Sequence, residues 1–109
     1  MAASFKNVII ADIGTTLTTV QTTPASTVNT LIGLSIANKA VTTINVDVTL
    51  TEGGTTVYIV KSTEIPAGTS LVLFGGDQKL IMEAGNILKI VSDTASSADV
   101  VMSYMEIPT

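Results

Sequence analysis

I-N-V-D-V-T-L, residues Ile44 to Leu50, alternates apolar and polar side chains without a break. Beyond Thr51 and Glu52 it runs into Gly53-Gly54 and then a second apolar stretch, Val57-Tyr58-Ile59-Val60. Successive side chains of an extended strand point to opposite faces, so this alternation gathers Ile44, Val46, Val48 and Leu50 on one side of a pleat. Two glycines between two such runs signal a hairpin, because a tight primed turn needs positive φ angles that glycine adopts at no steric cost. The reading predicts a strand over Thr42 to Thr51 paired with one over Thr55 to Ser62. A two-residue loop sets Leu50 opposite Val57, Val48 opposite Ile59 and Val46 opposite Lys61; a three-residue loop pairs Val48 with Tyr58 and Val46 with Val60. In either register Val57 to Val60 is apolar on both faces, and one of those faces needs cover from elsewhere.

The same grammar fills the rest of the chain. Strands are predicted over Phe5 to Ile13, Leu17 to Thr22, Val28 to Ala37, Ser70 to Phe74, Lys79 to Glu83, Ile87 to Asp93 and Ala98 to Ile107. Within the third, Ile32, Leu34 and Ile36 alternate with Leu31, Gly33 and Ser35. Turns fall at Thr23-Pro24-Ala25-Ser26, Ile65-Pro66-Ala67-Gly68, Gly75-Gly76-Asp77-Gln78, Ala84-Gly85-Asn86 and Thr94-Ala95-Ser96-Ser97, where Gly, Pro, Asn and Ser favour reversal. Ala67 to Leu73 and Ala84 to Ile90 echo each other as a glycine turn launching a strand, a pattern that recurs in most β domains. No segment has a helical period. The expectation is a single all-β domain over residues 1–109, an antiparallel β-sandwich of eight or nine short strands, jelly-roll-like in first place and immunoglobulin-like in second.

Composition narrows the function classes. The chain has 109 residues, no cysteine, no histidine and no arginine. Disulfides and thiolate metal sites are excluded, and so are Ser-His-Asp and Cys-His catalysis. Nine acidic residues outweigh five lysines (Lys6, Lys39, Lys61, Lys79, Lys89), which stand far apart in the sequence, so nucleic acid is not expected as a partner. The carboxylates Asp12, Asp47, Glu52, Glu64, Asp77, Glu83, Asp93, Asp99 and Glu106 fall at turns and polar strand positions, and no calcium-loop spacing links them. Gly53-Gly54 and Gly75-Gly76 lack the Lys-Ser/Thr and the helix of a phosphate loop. No run reaches the length of a membrane helix, and the N-terminus lacks a signal-peptide core, so a protein made in the cytosol with no membrane partner is expected. No enzyme activity, no cofactor and no metal are expected.

What remains is apolar surplus. Hydrophobic residues are 46% of the chain and charged residues 13%, with a mean hydropathy of +0.55, more than a small domain needs for one core. Val8-Ile9-Ile10, Leu71 to Phe74, Leu80-Ile81-Met82 and Val100-Val101-Met102 share the two-sided character of Val57 to Val60. A homo-oligomer, or docking on a larger assembly, is the expectation. The candidate contact residues are Val57, Tyr58, Ile59, Val60, Val101, Tyr104, Met105 and Ile107, acting through apolar packing and main-chain strand pairing at exposed edges.

The runs I-P-A-G-T-S-L-V-L (Ile65 to Leu73), K-L-I-M-E-A-G-N-I-L-K-I-V-S (Lys79 to Ser92) and A-S-S-A-D-V-V-M-S-Y-M-E-I (Ala95 to Ile107) add a resemblance. With N-V-I-I-A-D-I-G-T-T (Asn7 to Thr16) and L-I-G-L-S-I-A-N (Leu31 to Asn38), their order resembles small virion structural proteins of tailed bacteriophages, especially phages of cyanobacteria and other aquatic bacteria. That resemblance implies a non-enzymatic β-sandwich carried on the virion, made in the host cytoplasm. It would be a capsid decoration (cement) protein meeting the major capsid protein, or a neck or tail accessory; the alternative is a fibre-associated or host-receptor-binding module with polar loops such as Thr94 to Ala98 and Gly75 to Gln78 at the outside of the particle. It brings no catalytic residues.

Overall fold

A computed structural model describes residues 2–75 and 79–109. Nine strands form, all within a residue or a few of the expected spans: β1 Ser4–Ile13, β2 Thr18–Thr22, β3 Thr27–Asn38, β4 Ile44–Glu52, β5 Thr55–Ile65, β6 Ser70–Phe74, β7 Leu80–Met82, β8 Ile87–Ser92 and β9 Ala98–Pro108. No helix forms among the described residues. Gly76, Asp77 and Gln78 of the turn expected at Gly75 to Gln78 lie outside the described residues.

Every pairing is antiparallel, and the pairings are nested around the glycine hairpin. β4 pairs with β5 across Gly53-Gly54, β3 with β6 and β7, β2 with β8, and β1 with β9. The chain is thus one long ribbon folded back at residues 53 and 54 and then rolled up, which adds the contacts β3·β9 and β4·β8. Rolling separates it into two sheets, β1-β9-β3-β6 with β7 extending the β6 edge along β3, and β2-β8-β4-β5. This order is a jelly roll, and it excludes the immunoglobulin-like alternative, whose sheets group the strands differently.

The hairpin keeps the two-residue register only near its turn. Glu52 faces Thr55, Leu50 faces Val57 and Thr49 faces Tyr58, but Val48 then faces Val60 and Val46 faces Thr63. Two extra residues on β5 make two irregularities. At the second, Ser62 sits at φ 52° and its N–H donates to Asp47 Oδ1 at 2.6 Å. Kinks of this kind twist an edge strand away from foreign strands. At the turn itself only Gly53 has positive φ, 61°, as in a turn where just the first central residue needs glycine. A Cβ on either glycine would meet nothing within 4 Å, so the two positions differ by backbone conformation alone. Gly53→Ala is expected to lower stability by about 1 kcal/mol while Gly54→Ala stays within about 0.5 kcal/mol, as urea titration would read.

A further irregularity reshapes β3. The pairing with β9 skips between Leu31 and Gly33, so Leu31, Leu34 and Ile36 all point inward and Ile32 is left half-buried. Strict alternation, as expected from the sequence, would have put Leu31 on the side opposite Leu34; the bulge inverts the parity once. The core between the sheets is then built from Leu31, Leu34 and Ile36 with Ile44, Val46, Val48, Leu88, Ile90, Val100 and Met102, each at most 2% exposed.

Loops are tied to this core by buried polar groups. Asn38, 2% exposed, donates from Nδ2 to the carbonyls of Ile65 and Thr42 at 2.8 and 2.9 Å and accepts the Ala40 N–H at 2.8 Å. Gly68 and Gly85 take positive φ in two turns closed by Thr69 N–H to Pro66 O and by Asn86 N–H to Glu83 O, which explains the repeated Ala-Gly signal as shared turn geometry.

Candidate interaction face

Val8 to Ile10, Leu71 to Phe74, Leu80 to Met82 and Val100 to Met102 resolve the same way, one residue of each turning out and its neighbours inward, whereas Val57 to Val60 leaves Val57 and Tyr58 open. Ile9, Val72, Ile81 and Val101 are exposed by 73, 65, 54 and 49%. The strand order brings all four to one place, the outer side of the β1-β9-β3-β6/β7 sheet. Ile9 pairs with Val101, Val101 with Ser35, and Ser35 with Val72, a continuous row across four strands. A second row runs Phe5, Met105, Thr30, Ile81, and Phe5 is 79% exposed. Between them lie Asn7, Ser103 and Gly33, opposite one another on β1, β9 and β3.

No charged residue occurs in these rows. The charges stand at the two ends of the sheet. At one end Lys6 Nζ meets Glu106 Oε2 at 2.6 Å, and Asn29 Nδ2 also donates to this carboxylate at 3.4 Å. Its hydrogen bond with Lys6 holds Glu106 below the ordinary carboxylate range, and the same bond raises Lys6. At the other end Lys39 bridges Asp12 and Asp99, with Nζ 2.8 Å from Asp99 Oδ1, and the Asp12 N–H donates to Asp99 Oδ1 at 3.0 Å. Lys39 is raised by its bonds to Asp12 and then Asp99, and Asp99 is lowered chiefly by Lys39. Asp12 occupies the β1 irregularity at φ 61°, so this cluster fixes a bulge.

The outer side of the other sheet is of a different kind. Thr19, Lys89, Thr49 and Tyr58 follow one another across β2, β8, β4 and β5, with Asp47 opposite Val91 and Thr51 opposite Ile87 and Thr56. Lys61 lies over the Tyr58 ring, 4.6 Å from its centre, a cation-π contact on the edge strand. Threonines, two lysines and a carboxylate make this side polar, with Thr49 itself buried at 7% exposure and Ile87 and Val91 half-buried among them.

The expected contact residues are therefore split. Val57 and Tyr58 are about half-exposed on the β5 edge, while Ile59 and Val60 pack partly against the core. Val101 is on the apolar face, with Met105 and Ile107 half-buried on the same strand, and Tyr104 is turned into the core at 7% exposure. Main-chain strand pairing at Val100 to Ile107 is ruled out, because β9 is already paired along its length by β1 and β3. Ile9, Val72 and Ile81 belong to runs whose two-sided character is legible in the sequence, but neither they nor Phe5 are among the contact residues expected from it. Alternation identifies the outward residue of a strand, whereas contiguity between strands requires their order in the sheet.

No chemistry converges elsewhere. Among the described residues no three acidic side chains come together as a metal site. The carboxylates serve local structure: Asp93 accepts the Asn45 N–H and Nδ2 and the Thr94 hydroxyl, and the Asn45 backbone bond is the first cause of its lowered pKa. Glu52 accepts from Asn86 Nδ2 at 3.1 Å. No helix among the described residues is long and apolar enough to cross a membrane.

Among the described residues the jelly roll thus presents two rows without charged side chains across one outer side, and no three acidic side chains gathered as a metal site. No protein-family model matches the chain, and no curated protein is similar to it in sequence. Among solved structures, 95% of the chain superposes on a chain of the T13 IBDV viral particle, with a TM-score of 0.58 and 11% identity, and it spans 30% of that chain's length. It also covers 97% of its own length and 88% of a chain of the Bacillus endospore appendages, a novel family of disulfide-linked pili, at TM-score 0.54 and 14% identity. A pentameric capsid protein from metagenomic phage sequences matches over 94% of the chain at 19% identity, but its TM-score of 0.43 carries no argument. At such identities what is shared is the fold. The pilus-type covalent linkage has no counterpart here, since the chain has no cysteine.

Proposed function

We propose that this chain is a non-enzymatic structural protein of a bacteriophage virion, and in particular a capsid decoration (cement) protein that stabilises the particle through protein–protein contacts. The observation that carries the reading is the pair of uncharged rows across the outer side of the β1-β9-β3-β6/β7 sheet, where Phe5, Ile9, Val72, Ile81 and Val101 lie open together. Monomeric proteins rarely leave contiguous apolar surface of this kind bare. The sequence resemblance to small virion proteins of tailed phages supplies the setting, and the jelly roll, a fold that also serves unrelated roles, is compatible with it. The major capsid protein is the proposed partner, and the virion, assembled in the host cytoplasm, the proposed location. A protein that binds only the assembled shell stabilises it by mass action, so many weak copies suffice.

A second reading is a neck, tail or fibre accessory that binds a host receptor. It is favoured by the polar outer side of the other sheet, where Tyr58 stands half-exposed among threonine hydroxyls. Of the loops expected outward on this reading, Thr94 to Ala98 is tied down by the Ser92 and Ser97 hydroxyls, 2.7 Å apart, and by Ser97 Oγ donating to Thr94 O at 2.7 Å, while Gly76, Asp77 and Gln78 of Gly75 to Gln78 lie outside the described residues. Mixing the purified protein with empty heads of the phage that encodes it, followed by sedimentation, tests the two. Co-sedimentation with heads is the expected result; binding to host cells without binding to heads would transfer the assignment to the receptor reading.

A further inference from the structure

We infer that the apolar face is covered by a second copy of this chain, giving a two-fold dimer in which two β1-β9-β3-β6/β7 sheets stack face to face. This rests on reading the face as a protein–protein surface, but not on the virion assignment. The argument begins with the distribution of side chains. Large apolar groups stand on β1 (Phe5, Ile9), β9 (Met105, Val101) and β7 and β6 (Ile81, Val72), while Thr30, Gly33 and Ser35 make a low strip along β3. Phe5 and Ile81 lie in one row, and Ile9 and Val72 in the other.

A two-fold axis lying in the interface and parallel to the strands exchanges the two sides of the sheet and preserves the rows. It therefore sets Ile9 over Val72 of the second copy and Phe5 over its Ile81, and each contact occurs twice. The same rotation sets Val101 over Ser35 and Met105 over Thr30 of the second copy. Self-complementarity of this sort is what an isologous interface requires. Two sheets stacked in this way resemble the aligned packing of a sandwich interior, about 10 Å apart.

Size and charge agree. Four strands at roughly 4.8 Å and the stretch Val101 to Ile107 of β9 at about 3.3 Å per residue give an uncharged face of roughly 19 by 23 Å. This is smaller than the ~800 Å² per partner of a standard interface and fits a weak, reversible dimer. Each copy carries a net charge of −4, so two copies repel except where a surface holds no charge, and these two rows hold none. The accessible surface of the chain, 5746 Å², is close to the roughly 5,700 Å² expected of a folded protein of its mass, so the open face is not the product of loose packing. Stacking leaves the polar sheet and the β5 edge outward, free for a particle or a receptor.

Sedimentation equilibrium of the isolated protein tests this directly. The wild-type chain is expected at twice its 11.2 kDa mass at tens of micromolar. Val101→Lys and Val72→Lys, both outward and on different strands, are each expected to weaken the dimer at least tenfold, while Tyr58→Lys on the opposite sheet leaves it unchanged; circular dichroism confirms that all three are folded. A monomeric wild-type chain, or a dimer dissociated by Tyr58→Lys and indifferent to both face variants, would overturn the inference. A monomer that still co-sediments with phage heads removes the dimer and leaves the virion reading; a dimer that ignores heads does the reverse.

Discussion

Asn38→Leu is expected to destabilise the protein by about 3 to 5 kcal/mol, although leucine is close in size and the site is buried. The Asn38 side chain joins three pieces of chain that are remote in sequence: the end of β3, the 40–42 loop and the end of β5. Leucine leaves the Ile65 and Thr42 carbonyls without a donor and the Ala40 N–H without an acceptor. Each buried group stranded in this way costs about 1 to 3 kcal/mol, less where water can reach it, and the Thr42 and Ala40 bonds are only part-buried. The backbone of Asn38 is also engaged, its N–H to Thr69 O and its C=O from Gly68 N–H, so the segment cannot easily shift to find new partners. Against a total stability of about 5 to 15 kcal/mol the loss is large enough to read in a urea midpoint. A loss below about 1 kcal/mol would mean that the three bonds are not a unit.

Asn38→Asp separates hydrogen bonding from shape. The carboxylate keeps an acceptor for Ala40 but turns a second oxygen toward two carbonyls, which disfavours its charged form and raises its pKa in the folded state. The folded protein then binds more protons than the unfolded chain above the ordinary aspartate range. Stability of this variant should therefore fall as pH rises from 4 to 7, opposite to the trend of a native aspartate such as Asp93, whose pKa is lowered by its bonds from Asn45.

The second large effect is Ile36→Ala, expected to cost about 2 to 5 kcal/mol by lost burial plus the cavity left behind. Ile36 is fully buried on β3, which is paired on one side by β9 and on the other by β6 and β7, so the backbone around it has little room to collapse. Val72 lies on neighbouring β6, opposite Ser35, and points out. Val72→Ala should change the stability of the isolated monomer by no more than about 0.5 kcal/mol. Equal losses at the two positions would contradict the inward and outward assignment on which the candidate face depends.

Much of this was legible before any coordinates. Alternation over Ile44 to Leu50, the Gly53-Gly54 turn and β-branched runs cut by Gly, Pro, Asn and Ser located all nine strands, because period and turn chemistry are local properties of a chain. The first registers beyond the turn followed as well. Parity failed at Ile32 and again on β5, where single extra residues are accommodated by bulges that no local pattern announces. Asn38 carried no signal either: an asparagine before Lys39-Ala40 reads as a loop residue, and only the arrival of Ile65 and Thr42 beside it makes it a buried junction.

Sequence alone determined that the chain is all-β, that it lacks histidine, cysteine and arginine for the usual reactive sites, and that it holds more apolar side chains than one core can use. Tertiary structure alone decided where the surplus goes. Ile9, Val72, Ile81 and Val101 come from four strands spread along most of the chain, and nesting the ribbon about Gly53-Gly54 sets β1, β9, β3 and β6/β7 side by side so that their outward residues adjoin. The physical reason is that a strand's own sequence sets which side chains face out, whereas the neighbour across each edge is chosen by long-range pairing, and a surface becomes an interface only when neighbours agree.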